Sequence, residues 1–313
     1  MPGDLPVTGE RIYKMDRDIF LEIHPGVQLL YFAFVILVSI MLPHPAVIGC
    51  SFLGALGYSL WLRGWKRVLR FQVFCMLPMT ALVIVWNGAF SHYGVTPVYY
   101  LKTGAVTLEA LAYGGVLAWM LWTSMAWFSA INQVMTMDRW VYLLGRCSPA
   151  LSLALSITLR FIPRCRHQHE KMREGRRSLG MGEERRLRSR LRSGGKQLSM
   201  LLTWSLESGI EMADSMRARG YGSGRRTAYG KYSMEWRDWL ALALMILLAA
   251  CSLWGFILGY GSAYYNPAIR IAPLGGDAGS VVTYASWGLL CLLPVMMGCV
   301  QEIRRGRWER KYC

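Results

Sequence analysis

The stretch Glu207–Gly224, ESGIEMADSMRARGYGSG, reads as the end of a long amphipathic helix. Ile210, Ala213 and Met216–Arg217 continue an apolar stripe at i, i+3/i+4 spacing that begins at Leu198, Leu202 and Leu206. Gly220 follows the last periodic residue, where a left-handed C-cap is expected. Arg217 and Arg219 fall in the final turn, where a cation suits the negative end of the helix dipole. Asp214 stands three residues before Arg217, the spacing of an ordinary ion pair. Ala218 is small, so a partner surface can approach closely there. A small residue, a long forked cation and a glycine exit suit a groove on another protein. A basic helix end that is merely solvated fits the same residues.

Composition sets the class around this helix. The chain has 313 residues, of which 54% are hydrophobic, and a mean hydropathy of +0.27. That is too apolar for an ordinary soluble domain and predicts an all-α, polytopic membrane bundle. The formal net charge of +16 is concentrated between hydrophobic blocks, above all in 160–196. Such clustering indicates a cytoplasmic face. The eight cysteines, at 50, 75, 147, 165, 251, 291, 299 and 313, show no paired spacing, and most lie in apolar runs. Neither disulfides nor a zinc site is expected. The opening MPGDLPVTGERIYKMDRD lacks a basic-then-apolar leader layout, so the first span is expected to serve as its own insertion signal.

Taken in order, residues 1–25 form a polar lead and 26–131 carry four transmembrane helices. Gly26–Leu42 and Ala46–Leu62 are two short spans joined by the turn Pro43-His44-Pro45. Seventeen helical residues cover about 25 Å, near the lower limit for crossing the hydrocarbon. Arg63 to Arg67, with Arg70, is expected as a basic loop before the third span, Phe71–Phe90. Ser91–Thr103 reads as a loop and Gly104–Ile131 as the fourth span. Residues 132–236 form a cytoplasmic or membrane-embedded region of long helices. Within it, Trp140–Ile162 is read as a helix embedded at the cytoplasmic side, and Pro163–Gly182 and Glu183–Gly220 as two charged arms, the second open to bending at Gly194-Gly195. Residues 237–301 supply the fifth and sixth spans, joined by a Gly/Pro-rich loop at Ser262–Gly279, and 302–313 a basic cytoplasmic tail. Small residues Ala241, Ala249, Gly255 and Gly259 offer close helix contacts in the fifth span.

Loop charge orients the bundle. The segments 63–70, 160–196 and 304–311 are rich in Lys and Arg, whereas the turn at 43–45 has neither, and the loops at 91–103 and 261–279 hold only Lys102 and Arg270. Six spans with both termini in the cytoplasm of a cell-membrane protein satisfy every loop.

Catalytic chemistry is sparse. No phosphate-binding loop is present: Gly195-Lys196 is followed by Gln197, without the hydroxyl that Mg²⁺ requires. The chain is expected to hydrolyse no ATP by itself. Glu207, Glu211 and Asp214 share a helical face, but such carboxylates are ordinary on helix surfaces. His167 and His169 diverge on a helix. Glu109 and Asn87 lie near the outer ends of spans, where Glu109 can reach water, and a structural role is favoured over substrate binding. The Arg-rich arms suit anionic lipid, nucleic acid or a soluble partner. Aromatics for base stacking are missing between Arg164 and Gln197, which disfavours nucleic acid.

Met212–Gly222, MADSMRARGYG, resembles the second Ala-Arg-Gly coupling motif of the transmembrane (T) component of energy-coupling factor (ECF) transporters. EIHPGVQLLYF, SHYGVTPVYYLKTGAVTLEALAYGG and LLGRCSPALSLALSITLRFIPR, in that order upstream, are similar to the same family. The resemblance runs from about Glu22 to about Thr227. It implies a non-catalytic membrane scaffold with two long cytoplasmic coupling helices, each ending in a motif that docks in a groove of one ATPase. The second motif is matched by Ala218, Arg219 and Gly220, with Arg217 and Asp214 supporting. The first aligns with Ser178, Leu179 and Gly180, where leucine replaces the family arginine. Either Arg176 or Arg177 substitutes for the missing charge, or the contact is apolar. The implied assembly holds two ABC ATPases, which bind the ATP and Mg²⁺, and a separate substrate-binding membrane S component. Its cargo would be a vitamin or a transition-metal ion. Two rival classes are a membrane enzyme, which requires polar groups converging within the spans, and a basic membrane anchor that recruits lipid or nucleic acid.

Overall fold

The computed structural model describes residues 19–91, 96–101, 104–180, 187–224, 232, 234–265, 269–273 and 275–312. The chain forms two compact units: Met1–Thr136 with Tyr232–Cys313, and Met137–Lys231.

The first unit is a helical bundle. A four-residue turn, α1 (Ile19–Glu22), precedes α2 (Pro25–Met41) and α3 (Pro45–Arg63). Both long helices begin in the same way, with a His-Pro pair. His24 Nδ1 accepts the Gly26 N–H at 3.1 Å, and His44 Nδ1 accepts the Ala46 N–H at 3.3 Å. Each imidazole thus satisfies an amide that the helix itself leaves unpaired, while proline at the first position costs no hydrogen bond.

The basic segment after α3 is not the loop expected. Gly64 alone, at φ 76°, turns the chain, and Trp65 to Arg70 already belong to α4 (Trp65–Phe90). A positive φ is readily available to glycine, so one residue suffices as the joint. A π-helical turn at Gln72–Met76 interrupts α4, where the Gln72 side chain accepts from the Trp122 indole of α5 (Leu108–Val134). Between α4 and α5 a hairpin, β1 (Pro97–Leu101) and β2 (Gly104–Thr107), occupies much of the expected loop and the start of the expected fourth span. Thr107 caps α5 through the Ala110 N–H, and the buried Glu109 accepts the Thr96 hydroxyl at 2.7 Å. That carboxylate anchors the hairpin to the helix.

After the second unit the bundle resumes with α9 (Trp236–Ile257), a short hairpin of β3 (Ala263–Tyr264) and β4 (Arg270–Ile271), and α10 (Ala278–Tyr312). Glu235 and Asp238 form a reciprocal capping box at the start of α9. Among the described residues, five helices are long and apolar enough to cross a membrane: α3, α4, α5, α9 and Ala278–Val300 of α10. The apolar helix α2, with 17 residues, is shorter.

Helices in lipid gain little from hydrophobic burial against each other, so close packing decides the contacts. A Cβ on Gly54 of α3 would lie 2.6 Å from the Cys291 carbonyl oxygen of α10. A Cβ on Gly255 of α9 would overlap Thr283 of α10, whereas Gly259 terminates α9 at φ 94°. The centre is aromatic: Phe20, Tyr31, Phe32, Tyr58 and Trp127 meet largely edge to face, with Phe20 and Tyr31 centroids 5.5 Å apart and Phe32 and Trp127 6.0 Å apart. Such pairs add ~0.5–1.5 kcal/mol each beyond the area they bury. Phe20 lies in this core, inside the segment expected as a polar lead.

The second unit comprises α6 (Met137–Cys147), α7 (Pro149–Ser178) and α8 (Leu187–Ala218). The expected single helix at 140–162 is divided at Ser148 between α6 and α7. Ser152 Oγ donates to the Val141 carbonyl at 3.1 Å and fits against Gly145. Pro163 lies inside α7 rather than at its start. An interior proline removes one helical hydrogen bond at a cost of ~3 kcal/mol, yet the helix continues on both sides, so the first arm has 30 residues. Helix α8 has 32 residues and runs unbroken through Gly194-Gly195.

Candidate functional site

Both arms end at a glycine in the left-handed conformation. At the end of α8 the Gly220 N–H donates to the Arg217 carbonyl at 2.9 Å and the Tyr221 N–H to the Met216 carbonyl at 3.0 Å. Those two bonds form a Schellman cap, with Gly220 as the left-handed residue at φ 80°. At the end of α7 the Gly180 N–H donates to the Arg177 carbonyl at 3.0 Å, with Gly180 at φ 74°. The residue before each glycine, Leu179 or Arg219, donates its N–H four residues back, to Gly175 or Ser215. Ser178-Leu179-Gly180 and Ala218-Arg219-Gly220 are therefore equivalent by backbone geometry as well as by position.

Both triplets are exposed, with Leu179 at 73%. Of the two arginines considered as substitutes beside Leu179, Arg176 is engaged: it donates to the Ser193 carbonyl at 3.3 Å and to the Ser193 hydroxyl. Arg177 is exposed. Asp214 and Arg217 are also exposed, and among the described residues no ion pair joins them.

The arms run alongside one another within their unit. Phe161 of α7 stacks on Trp204 of α8, with centroids 5.6 Å apart and planes at 12°. Together with Arg176 and Ser193 this fixes an antiparallel arrangement. At 1.5 Å per residue, Ala218 lies roughly 37 Å along α8 from Ser193, which touches the other arm two residues before its cap. The caps thus face away from each other at opposite ends. Trp204 lies on the partly buried face of α8, while Leu198, Leu202, Leu206 and Ile210 lie opposite it, each more than half exposed. In a membrane protein such an exposed apolar stripe suits either lipid or another protein.

No catalytic constellation accompanies the caps. Glu207, Glu211, His167 and His169 are exposed, and among the described residues no three His, Cys, Asp or Glu side chains converge. Inside the bundle, Ser39 and Ser51 share a hydrogen bond of 2.6 Å, and the Trp127 indole donates to Ser51 at 2.9 Å. This polar cluster ties three helices together and contains no acid or base.

Sequence reasoning overlooked two buried polar anchors. Asp238 Oδ1 accepts the His24 N–H at 3.4 Å, joining the starts of α9 and α2. His44 Nε2 faces the Ala272 carbonyl and the Tyr284 hydroxyl, each at 3.2 Å. The spacing Glu235-x-x-Asp238 and the repeated His-Pro pairs signal the local caps. No local pattern signals the distant partners.

Residues 17–229 match the cobalt transport protein (CbiQ) family. The chain is also 27% identical, over 221 residues, to the energy-coupling factor transporter transmembrane protein EcfT of Lacticaseibacillus paracasei. That alignment covers 59% of this chain and 84% of the relative. The family match takes in most of the bundle's first half, both arms and both caps, and the chain accordingly belongs to the cobalt transport protein family, as a transmembrane component of the energy-coupling-factor type.

Proposed function

We propose that this chain is the non-catalytic T component of an ECF importer. It transmits ATP-driven motion of two partner ATPases to a separate membrane subunit that binds a vitamin or a metal ion. The observation that carries this reading is the pair of matching, exposed helix caps at opposite ends of two braced arms. Two similar grooves on two ATPase subunits would each take one cap. Arg219 would place its guanidinium against carboxylate or carbonyl oxygens, which it can bind as a fork. Leu179 would fill its groove by apolar contact. ATP and Mg²⁺ belong to the ATPases, because this sequence has no phosphate-binding loop. The exposed stripe on α8 would carry the motion to the substrate-binding subunit. Loop charge supports a cell-membrane protein with both termini in the cytoplasm.

Affinity purification of the full chain from its native cell tests the reading. Two ATPases and a small membrane subunit are expected to co-purify, with ATP hydrolysis in the complex and none in the isolated chain. Recovery of the chain without an ATPase, or hydrolysis by the isolated chain, refutes it.

A further inference from the structure

The joint between α3 and α4 carries a charge cluster that the transport reading uses only to orient the bundle. Arg63 ends α3, and Lys66, Arg67 and Arg70 lie in the first turns of α4. With 3.6 residues per turn, positions 66, 67 and 70 fall within an arc of about 100°. All three are exposed, and Val68 on the other side of the helix is buried. Arg63 is half-buried and close enough to Arg67 for the two guanidiniums to repel each other. With the Gln133 amide oxygen turned toward it, Arg63 donates to that oxygen at 3.2 Å, which positions it at the end of α5. Among the described residues no carboxylate forms an ion pair with any of the four.

The cluster does not serve α4 itself. Cations at the start of a helix meet the positive end of its dipole, the unfavourable placement. The nearby residues indicate what does compensate them. Trp65 is 66% exposed beside the cations, and Val73, Phe74 and Leu77 farther along α4 are exposed and apolar. A compact patch of cations, an interfacial tryptophan and an apolar flank match an amphiphile with an anionic head. We infer that Lys66, Arg67 and Arg70, with Arg63 behind them, bind the headgroup of an anionic phospholipid whose acyl chains lie along α4. The lipid offsets part of the joint's positive charge and holds α3 and α4 at the membrane surface. A free phosphate would use the cations and leave the tryptophan and apolar flank without a role.

Native mass spectrometry of the purified full chain, with phosphatidylglycerol and phosphatidylcholine of identical acyl chains in equal amounts, tests this inference. Retention of phosphatidylglycerol over phosphatidylcholine on the order of tenfold or more is expected from several surface cations. The triple variant Lys66→Gln/Arg67→Gln/Arg70→Gln should lose that preference. A variant with the same charge loss on exposed residues of α8, Arg188→Gln/Arg192→Gln/Lys196→Gln, should keep it. Equal retention of the two lipids by the unaltered chain overturns the inference whatever the variants do. So does an unchanged preference in the α3–α4 triple variant, or displacement of the lipid by millimolar inorganic phosphate.

Discussion

Leu179 and Arg219 occupy the same position at the ends of the two arms, each between the last helical residue and a glycine at positive φ. Up to the glycine the backbones agree, and the triplets differ at two side chains, Ser178 against Ala218 and Leu179 against Arg219, of which only the second exchanges an apolar group for a charge. A guanidinium and an isobutyl group bind by different physics. Truncating one partner of a buried charged contact costs ~2–5 kcal/mol. Burying a leucine side chain contributes about 1.5–3 kcal/mol. Arg219→Ala and Arg219→Glu are therefore expected to abolish coupled uptake while the chain still inserts in the membrane. Leu179→Ala should weaken ATPase co-purification less, and Leu179→Arg should be tolerated. Normal uptake with Arg219→Glu would reduce the α8 cap to a solvated helix end.

The glycines make a separate prediction about the caps. Gly220 at φ 80° sits where a side chain costs ~1–2 kcal/mol, and a Cβ there would lie 3.1 Å from Ser223 Oγ. Gly220→Ala should release the two cap hydrogen bonds and fray the last turn of α8. Hydrogen exchange at residues 216–221 is expected to quicken, with the middle of α8 unchanged. Gly220→Asn should be milder, since asparagine tolerates the left-handed region better. Equal exchange in all three proteins would show that the cap does not restrain the helix end.

The α7 cap came from the family resemblance, since the residues alone carried that arm on to Gly182. The α8 cap was legible in the sequence because its signals are local, namely apolar periodicity, cations in the last turn and a glycine just beyond. The membrane class was legible for the same reason, since hydropathy is a property of short windows. What escaped involves competition between signals. Lys66, Arg67 and Arg70 suggested a loop by charge, but the helix propensity of the residues around them prevailed once Gly64 had turned the chain. Pro163 suggested a helix start, but α7 is long enough on both sides to absorb the lost hydrogen bond. His44 and Asp238 depend on partners more than two hundred residues away, which no window contains.

His44 should make the bundle sensitive to acid. It is fully buried, and its Nδ1 accepts the Ala46 N–H, which leaves the proton on Nε2 facing Ala272 and Tyr284. Burial holds the imidazole below its ordinary value of 6.5, although the Ala272 carbonyl opposes this. The sign follows from linkage: the unfolded chain takes up the proton first, so stability is fully present above 6.5 and is lost as pH falls toward and through the lower folded value. Protonation also removes the acceptor that caps α3. Thermal unfolding in detergent should therefore occur at lower temperature at pH 5 than at pH 7.5. His44→Gln should flatten that dependence, and a slope unchanged by the substitution would assign it to other groups.

The brace between the arms should decide whether hydrolysis is coupled to transport. Phe161 and Trp204 stack 5.6 Å apart and Arg176 donates to Ser193, and both contacts tie α7 to α8. Both rings are half-buried, so truncating one is expected to cost about 1–3 kcal/mol, less than for a fully buried aromatic. Trp204→Ala leaves both caps intact, and each can still enter its groove. What it removes is the stiffness that makes displacement of one cap move the other. ATPase co-purification should persist with Trp204→Ala, and ATP hydrolysis by the complex should stay near its usual rate, while uptake per ATP falls severalfold. Trp204→Phe, which retains a ring against Phe161, should restore most of the uptake. Loss of ATPase binding with Trp204→Ala would instead mean that the brace shapes the caps themselves. Unaltered uptake would mean that the arms transmit motion independently of each other.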